Sequence, residues 1–139
     1  MTVATNRRTW TLVFHGKPPR PNQELRMPYG ISQEKARQIV QARRAERQRW
    51  KQLGYMAIRM HDIPRLPRIK LSAVFYRRAM NVADEDGDRS SLKHLADSFV
   101  AAGVIPNDTR RYLVWGDVEE RRGKPYRVEL TVEALEALT

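Results

Sequence analysis

Acidic residues are concentrated in one short segment of an otherwise basic chain. Asp84, Glu85, Asp86 and Asp88 lie close together, and Asp108 follows farther on. Mg²⁺ prefers carboxylate oxygens as ligands, together with water and phosphate oxygens. A bound Mg²⁺ can polarise a phosphodiester, activate a water molecule and stabilise the leaving oxygen. The spacing Asp86-x-Asp88, with Asp108 as a third acid, therefore predicts a metal site for phosphodiester cleavage.

This acidic segment has two other interpretations. Its Asp-x-Asp-x-Asp spacing resembles the start of an EF-hand calcium loop, but Arg89 and Leu95 occupy the places of the required glycine and final glutamate. The EF-hand is therefore excluded. The acids could instead form a solvated turn that caps the next helix, because Asp and Ser favour such positions. The register also stays open, since Asp84 and Asp86 could replace Asp86 and Asp88.

The whole chain carries a large positive charge. Its 139 residues include 26 Lys and Arg against 16 Asp and Glu, which gives a formal net charge of +10. Such an excess on a small domain predicts a polyanionic partner, and nucleic acid is the commonest one. A ribosome-associated protein or a charged surface that only keeps the chain soluble are the alternatives.

Cysteine is absent, which excludes disulfides and thiolate metal sites. The apolar run 10–14 is too short for a signal peptide, and no stretch approaches the roughly 20 apolar residues of a membrane span. We therefore expect a soluble, cytoplasmic protein.

The first half of the chain predicts a strand followed by a long helix. Thr9–His15 alternates and is rich in β-forming residues. The segment 16–30 carries four prolines and predicts a loop. Ser32 is a typical helix N-cap, and the helix is expected to run from Gln33 towards Met60. Gly54 marks a possible kink or break in it.

The second half predicts a central strand over Ile69–Arg77, an acidic loop over 81–89 and a second helix over Ser90–Ala102. Gly103 would end that helix. Two final strands, Tyr112–Glu120 and Tyr126–Val132, are expected to form a hairpin.

A last helical turn over 133–138 would end the chain. The predicted order is β-α-β-α-β-β. This order favours one α+β domain over residues 1–139, in which two main helices pack on a single small mixed sheet.

Basic residues on the predicted helices are candidate phosphate contacts. The first helix carries a row of cations, namely Arg37, Arg43, Arg44, Arg47, Arg49 and Lys51. This row is either a DNA contact or an ordinary solvated helix face. Lys93, early in the second helix, could contact a phosphate or the attacking water, or could simply pair with Asp97 four residues later. His94, on a different face of the helix, is expected either at the surface or as a minor candidate for the site.

The segment from Asp86 to Asp108 resembles the signature of the RusA family of Holliday junction resolvases. That family has an Asp-x-Asp-Asn loop, a helix with Lys and Asp, a Gly, and an Asp-Asp pair. The counterparts here are Asp86 and Asp88, Lys93 and Asp97, Gly103, and Asn107-Asp108. The proline-rich segment after the first strand and the order of elements also agree. Arg89 and Asn107 depart from the pattern, and this loop is one residue longer.

The resemblance implies a homodimeric endonuclease that requires Mg²⁺, or Mn²⁺, and nicks opposed strands of a four-way DNA junction. Asp86, Asp88 and Asp108 would hold the metal, and Lys93 would assist at the scissile phosphate. The implied DNA contacts are Arg43, Arg44, Arg47, Arg77, Arg78 and Arg89. Many such proteins are encoded by phages, so the expected location is the cytoplasm of a bacterium or of a phage-infected cell. A basic DNA-binding module of the same fold without activity is the alternative.

Overall fold

The computed structural model describes residues 8–16, 29–77 and 82–138, and for residues 82–90 it describes the backbone alone. The elements are β1 (Thr9–His15), α1 (Gln33–Met60), β2 (Arg68–Arg77), α2 (Val82–Ala101), β3 (Leu113–Arg122) and β4 (Arg127–Leu135). The α+β class and the order β-α-β-α-β-β are confirmed. The predicted loop 16–30 falls mainly on residues 17–28, outside the described ranges.

The four strands form one mixed sheet in the order β1-β4-β2-β3. Strand β4 runs antiparallel to β1 and β2, whereas β2 and β3 are parallel. The predicted hairpin between the last two strands is therefore wrong, because β2 lies between them. Helix α2 connects β2 to β3 as a crossover, which makes these two strands parallel neighbours. The β3–β4 connection then passes the end of β2, where the Gly123 N–H donates to the Arg77 carbonyl at 3.0 Å.

One face of the sheet packs against the helices. Alternate residues of β1, β2 and β4 point into the core, as the period of a strand requires. The largest fully buried side chains include Leu12, Ile69, Leu71, Val128 and Leu130 from the sheet and Trp50, Ile58, Leu92, Leu95 and Phe99 from the helices. This single core fixes both helices on the same side of the sheet.

The two helices run parallel and in close contact. The Ser98 hydroxyl donates to the Lys51 carbonyl at 2.9 Å, and Lys51 Nζ lies 3.7 Å from the Asp97 carboxylate. A side chain at Gly54 would meet Ser98, whose Cβ lies 2.7 Å from the position a Cβ would take. Helix α1 continues through Gly54 without a break. The glycine therefore permits close approach of α2.

The ends of several elements differ from their sequence predictions. Helix α2 begins at Val82, so the predicted acidic loop over 81–89 is wrong for residues 82–89. Acidic residues in the first turns of a helix interact favourably with its macrodipole, which is the physical reason this segment can be helical. The predicted helical turn 133–138 is also wrong, because β4 continues to Leu135 and residues 136–138 have no regular structure.

The predicted helix caps are confirmed. The Ser32 hydroxyl accepts a hydrogen bond from the Lys35 N–H at 3.2 Å. Gly103 follows α2 with a φ of 78°, and the Val104 N–H donates to the Phe99 carbonyl at 3.0 Å. This left-handed residue ends the helix at the predicted position. Among the described residues, no helix has the length and apolar character that crossing a membrane would require.

Candidate nucleic-acid interface

The parallel helix pair brings the basic row of α1 beside the acidic start of α2. Arg47 and Lys51 both act electrostatically on His94, and Lys51 also pairs with Asp97. Because both helices run in the same direction, the residues before Arg47 lie beside those before His94. The backbone thus places the α1 turns around Arg43 alongside residues 82–90. The carboxyl end of β2 precedes α2 directly, so it lies at this end of the molecule too.

The helical backbone changes how the acidic positions relate to one another. Positions 86 and 88 are two apart and lie on different faces of an α-helix, whereas positions 84 and 88 are four apart and share one face. Asp-x-Asp spacing therefore does not by itself bring two carboxylates together here.

Asp108 lies at the other end of α2. The helix continues from Asp88 to Ala101, which is about 20 Å at a rise of ~1.5 Å per residue. Asp108 is exposed in the connection to β3, next to Asn107, whose side chain accepts from the Thr109 N–H at 3.0 Å. Asp86, Asp88 and Asp108 of one chain thus do not fit a single ion. No group of three potential metal-ligating side chains occurs among the described residues.

The predicted phosphate contacts differ in accessibility. Arg44 and Lys93 are exposed, whereas Arg43 and Arg47 are half-buried and each already has an interaction within the protein. Arg77 is only 3% exposed, so its side chain cannot reach a phosphate in this structure.

The side chains of two predicted phosphate contacts lie outside the described parts of the structure. Arg78 lies outside the described residues, and Arg89 is described only as part of the helical backbone. Lys93 makes no ion pair with any described side chain, because Asp97 pairs with Lys51 instead. Arg44 and Lys93 are therefore the predicted cations best placed for a polyanion.

His94 is buried between the helices, which corrects its predicted surface position. It is 4% exposed, and its Nε2 atom has no hydrogen-bond partner among the described residues. Burial lowers the pKa of His94, and the positive charges of Arg47 and Lys51 lower it further. The imidazole is therefore neutral under ordinary conditions.

A second basic cluster lies at the strand ends and was not singled out from the sequence. It comprises Arg121, Arg122, Lys124 and Arg127, which surround the short connection between β3 and β4. The Arg127 guanidinium lies 3.7 Å from the centre of the Tyr76 ring. The available signal was the run of basic residues interrupted by Pro125 and Tyr126, a composition typical of nucleic-acid-binding surfaces.

Comparisons with known proteins give no further assignment: the chain matches no protein-family model and no curated protein.

Proposed function

We propose that this protein is a Mg²⁺-dependent, structure-specific endonuclease that cleaves branched DNA such as four-way junctions, acting as a homodimer. The observation that carries the proposal is the parallel pairing of α1 and α2. This pairing places a row of cations beside the acidic first turns of α2, at the end of the sheet where β2 terminates. A polyanion and a divalent cation are the two ligands that such a juxtaposition favours.

The chain's own residues would serve mainly to bind and orient DNA. Arg44 and Lys93 are exposed cations on adjacent helices, and each can hold a backbone phosphate. Mg²⁺, when bound, would supply charge neutralisation and an activated water. The three predicted carboxylates do not fit one ion in a single chain, because α2 separates Asp86 and Asp88 from Asp108. Asp88 is the decisive residue, because it belongs to the predicted set and lies in the first two turns of α2.

The test is cleavage of a labelled synthetic four-way junction, with and without Mg²⁺ or Mn²⁺. We expect the wild-type protein to give paired nicks that require the metal. Asp88→Asn should abolish nicking while junction binding persists or tightens, since the change removes negative charge near phosphates. Asp62→Asn, at an exposed position at the C-terminal end of α1, is the matched control and should cleave normally.

Retained cleavage by Asp88→Asn would contradict the assignment of this residue. Tight junction binding by the wild-type protein with no nicks in either metal would instead favour the second candidate, a DNA-binding module without catalysis. One observation favours this alternative: Asp108 is separated from the acidic turns of its own chain.

A further inference from the structure

The connection between β3 and β4 is a well-anchored turn at one end of the sheet. Besides the bond from Gly123 to β2, the Gly16 N–H donates to the Tyr126 carbonyl at 2.8 Å, which ties the turn to the end of β1. Gly123 also packs on Tyr76, since an added Cβ would lie 3.0 Å from the Tyr76 ring. Backbone bonds to two strands therefore fix where the side chains of Lys124 and Tyr126 leave the surface.

Tyr126 presents an accessible aromatic ring at this turn. Its side chain is 42% exposed, and it lines a cavity of about 550 Å³ with Gly123, Lys124 and Pro125. Cavities of roughly 300–1,000 Å³ are the size that small organic ligands occupy. A planar, partly exposed ring beside such a space can stack with another planar group.

Two cations that precede this ring in the sequence have no acidic partner among the described residues. Arg121 is held by Glu119 at 2.8 Å, and Arg127 lies 3.5 Å from the Glu129 carboxylate. Arg122 and Lys124 are exposed, and neither forms an ion pair with a side chain in the described parts of the chain. The turn therefore offers one ring for a planar group and two positive charges for anions.

We propose that this turn binds an unpaired nucleotide of DNA, with its base stacked on Tyr126 and its phosphates against Arg122 and Lys124. Single-stranded nucleic acid is recognised by aromatic rings and cations in this combination, because every base has a stacking face and every linkage a negative charge. A base inside a duplex is covered on both faces and cannot stack on the ring. The inference rests on the proposed function, since it names the feature of branched DNA that this end of the sheet would read.

Binding without metal tests the inference separately from cleavage. The probes are a fluorescein-labelled oligo(dT) strand and a fully paired duplex of equal length, titrated in EDTA at fixed salt. Tyr126→Ala should weaken oligo(dT) binding by about tenfold, within the ~1–3 kcal/mol that a stacked base contributes. Tyr126→Phe should bind as the wild type does, because it keeps the ring. Tyr55→Ala, which removes a comparably exposed tyrosine from α1, is the matched control and should change nothing.

The salt dependence of binding tests the predicted contacts between the two cations and the phosphates. Arg122→Ala and Lys124→Ala should each reduce the salt dependence of oligo(dT) binding by about one phosphate contact. Circular dichroism establishes that each variant is folded, and Tyr126→Leu replaces Tyr126→Ala if the latter is not.

Unchanged oligo(dT) affinity in a folded variant without the ring would overturn the inference and leave the proposed function standing. An equal loss of duplex affinity would also overturn it, since stacking on an unpaired base would not be the cause. Failure of the wild-type protein to bind oligo(dT) would overturn the inference, whereas the proposed function is decided by the junction-cleavage assay.

Discussion

His94 lies between two helices, and its enclosed Nε2 atom has no hydrogen-bond partner in the described parts of the chain. Lys93, its neighbour in sequence, is exposed and faces solvent. Charged residues such as Lys93 were the predicted functional residues, and His94 was predicted to lie at the surface. Which residue of a neighbouring pair is buried depends on the position of the partner helix, and α1 is remote in the sequence. Burial of His94 therefore became visible only when the helix pair was known.

The buried imidazole predicts that the protein loses stability in mild acid. The pKa of His94 is lowered in the folded state by burial and by Arg47, Lys51 and Lys93, and Asp97 opposes this among the described residues. As pH falls below the ordinary histidine pKa of about 6.5, the unfolded chain takes up a proton that the folded protein does not, so the free energy of unfolding falls.

Urea unfolding of the wild type and of His94→Gln, between pH 7.5 and 5.5, measures this effect. The wild type should lose more stability on acidification than the variant, whose side chain does not titrate. Parallel pH curves for the two proteins would show that the histidine contributes nothing to the pH dependence.

Whether a helix or strand could be predicted correctly depends on whether the residues that define it lie within the element itself. The bounds of β1 and α1 follow from alternation, an apolar stripe and the Ser32 cap, all of which lie within the element itself. Pairing of strands is not local. The hairpin prediction assumed that consecutive strands pair, but the crossover through α2 places β2 between β3 and β4. Likewise, the run of acidic residues indicated a loop, although early helix turns accommodate acids.

Adding a side chain at Gly54 would widen the contact between α1 and α2, and this costs folding free energy. Gly54→Ala would force the new Cβ against Ser98, and overpacking of this kind destabilises by about 1–3 kcal/mol. That cost opposes the gain of about 1 kcal/mol that Ala has over Gly in helix propensity. Gln52→Ala, at an exposed position on the same helix, is the control and should leave stability unchanged or slightly higher.

Urea unfolding of Gly54→Ala, Ser98→Gly and the double variant tests whether the contact with Ser98 is the cause. The double variant should be less destabilised than the sum of the two single variants, because removing the Ser98 side chain makes room for the new methyl group. Additive effects would mean that the loss arises elsewhere.

Across the whole molecule, the candidate functional residues lie at one end of the fold, with a single exception. The first turns of both helices and the basic connection between β3 and β4 lie where β2 ends. Asp108 lies at the opposite end of α2 from the acidic turns of its own chain. If catalysis requires Asp88 and Asp108 together, a second copy of the chain must bring its Asp108 to the first copy's Asp88. In a two-fold dimer this exchange is reciprocal and creates two shared sites.

Mixing two inactive variants distinguishes a shared site from a site within one chain. Asp88→Asn and Asp108→Asn should each be inactive alone. When the two are unfolded together and refolded, each mixed dimer contains one site with both substitutions and one intact site, and single nicks should reappear. With random pairing, nicking should reach about a quarter of the wild-type level, because half the dimers are mixed and each has one working site. Refolded wild type and each variant refolded alone are the controls. If the mixture stays inactive although native mass spectrometry detects mixed dimers, the two carboxylates do not meet across the dimer.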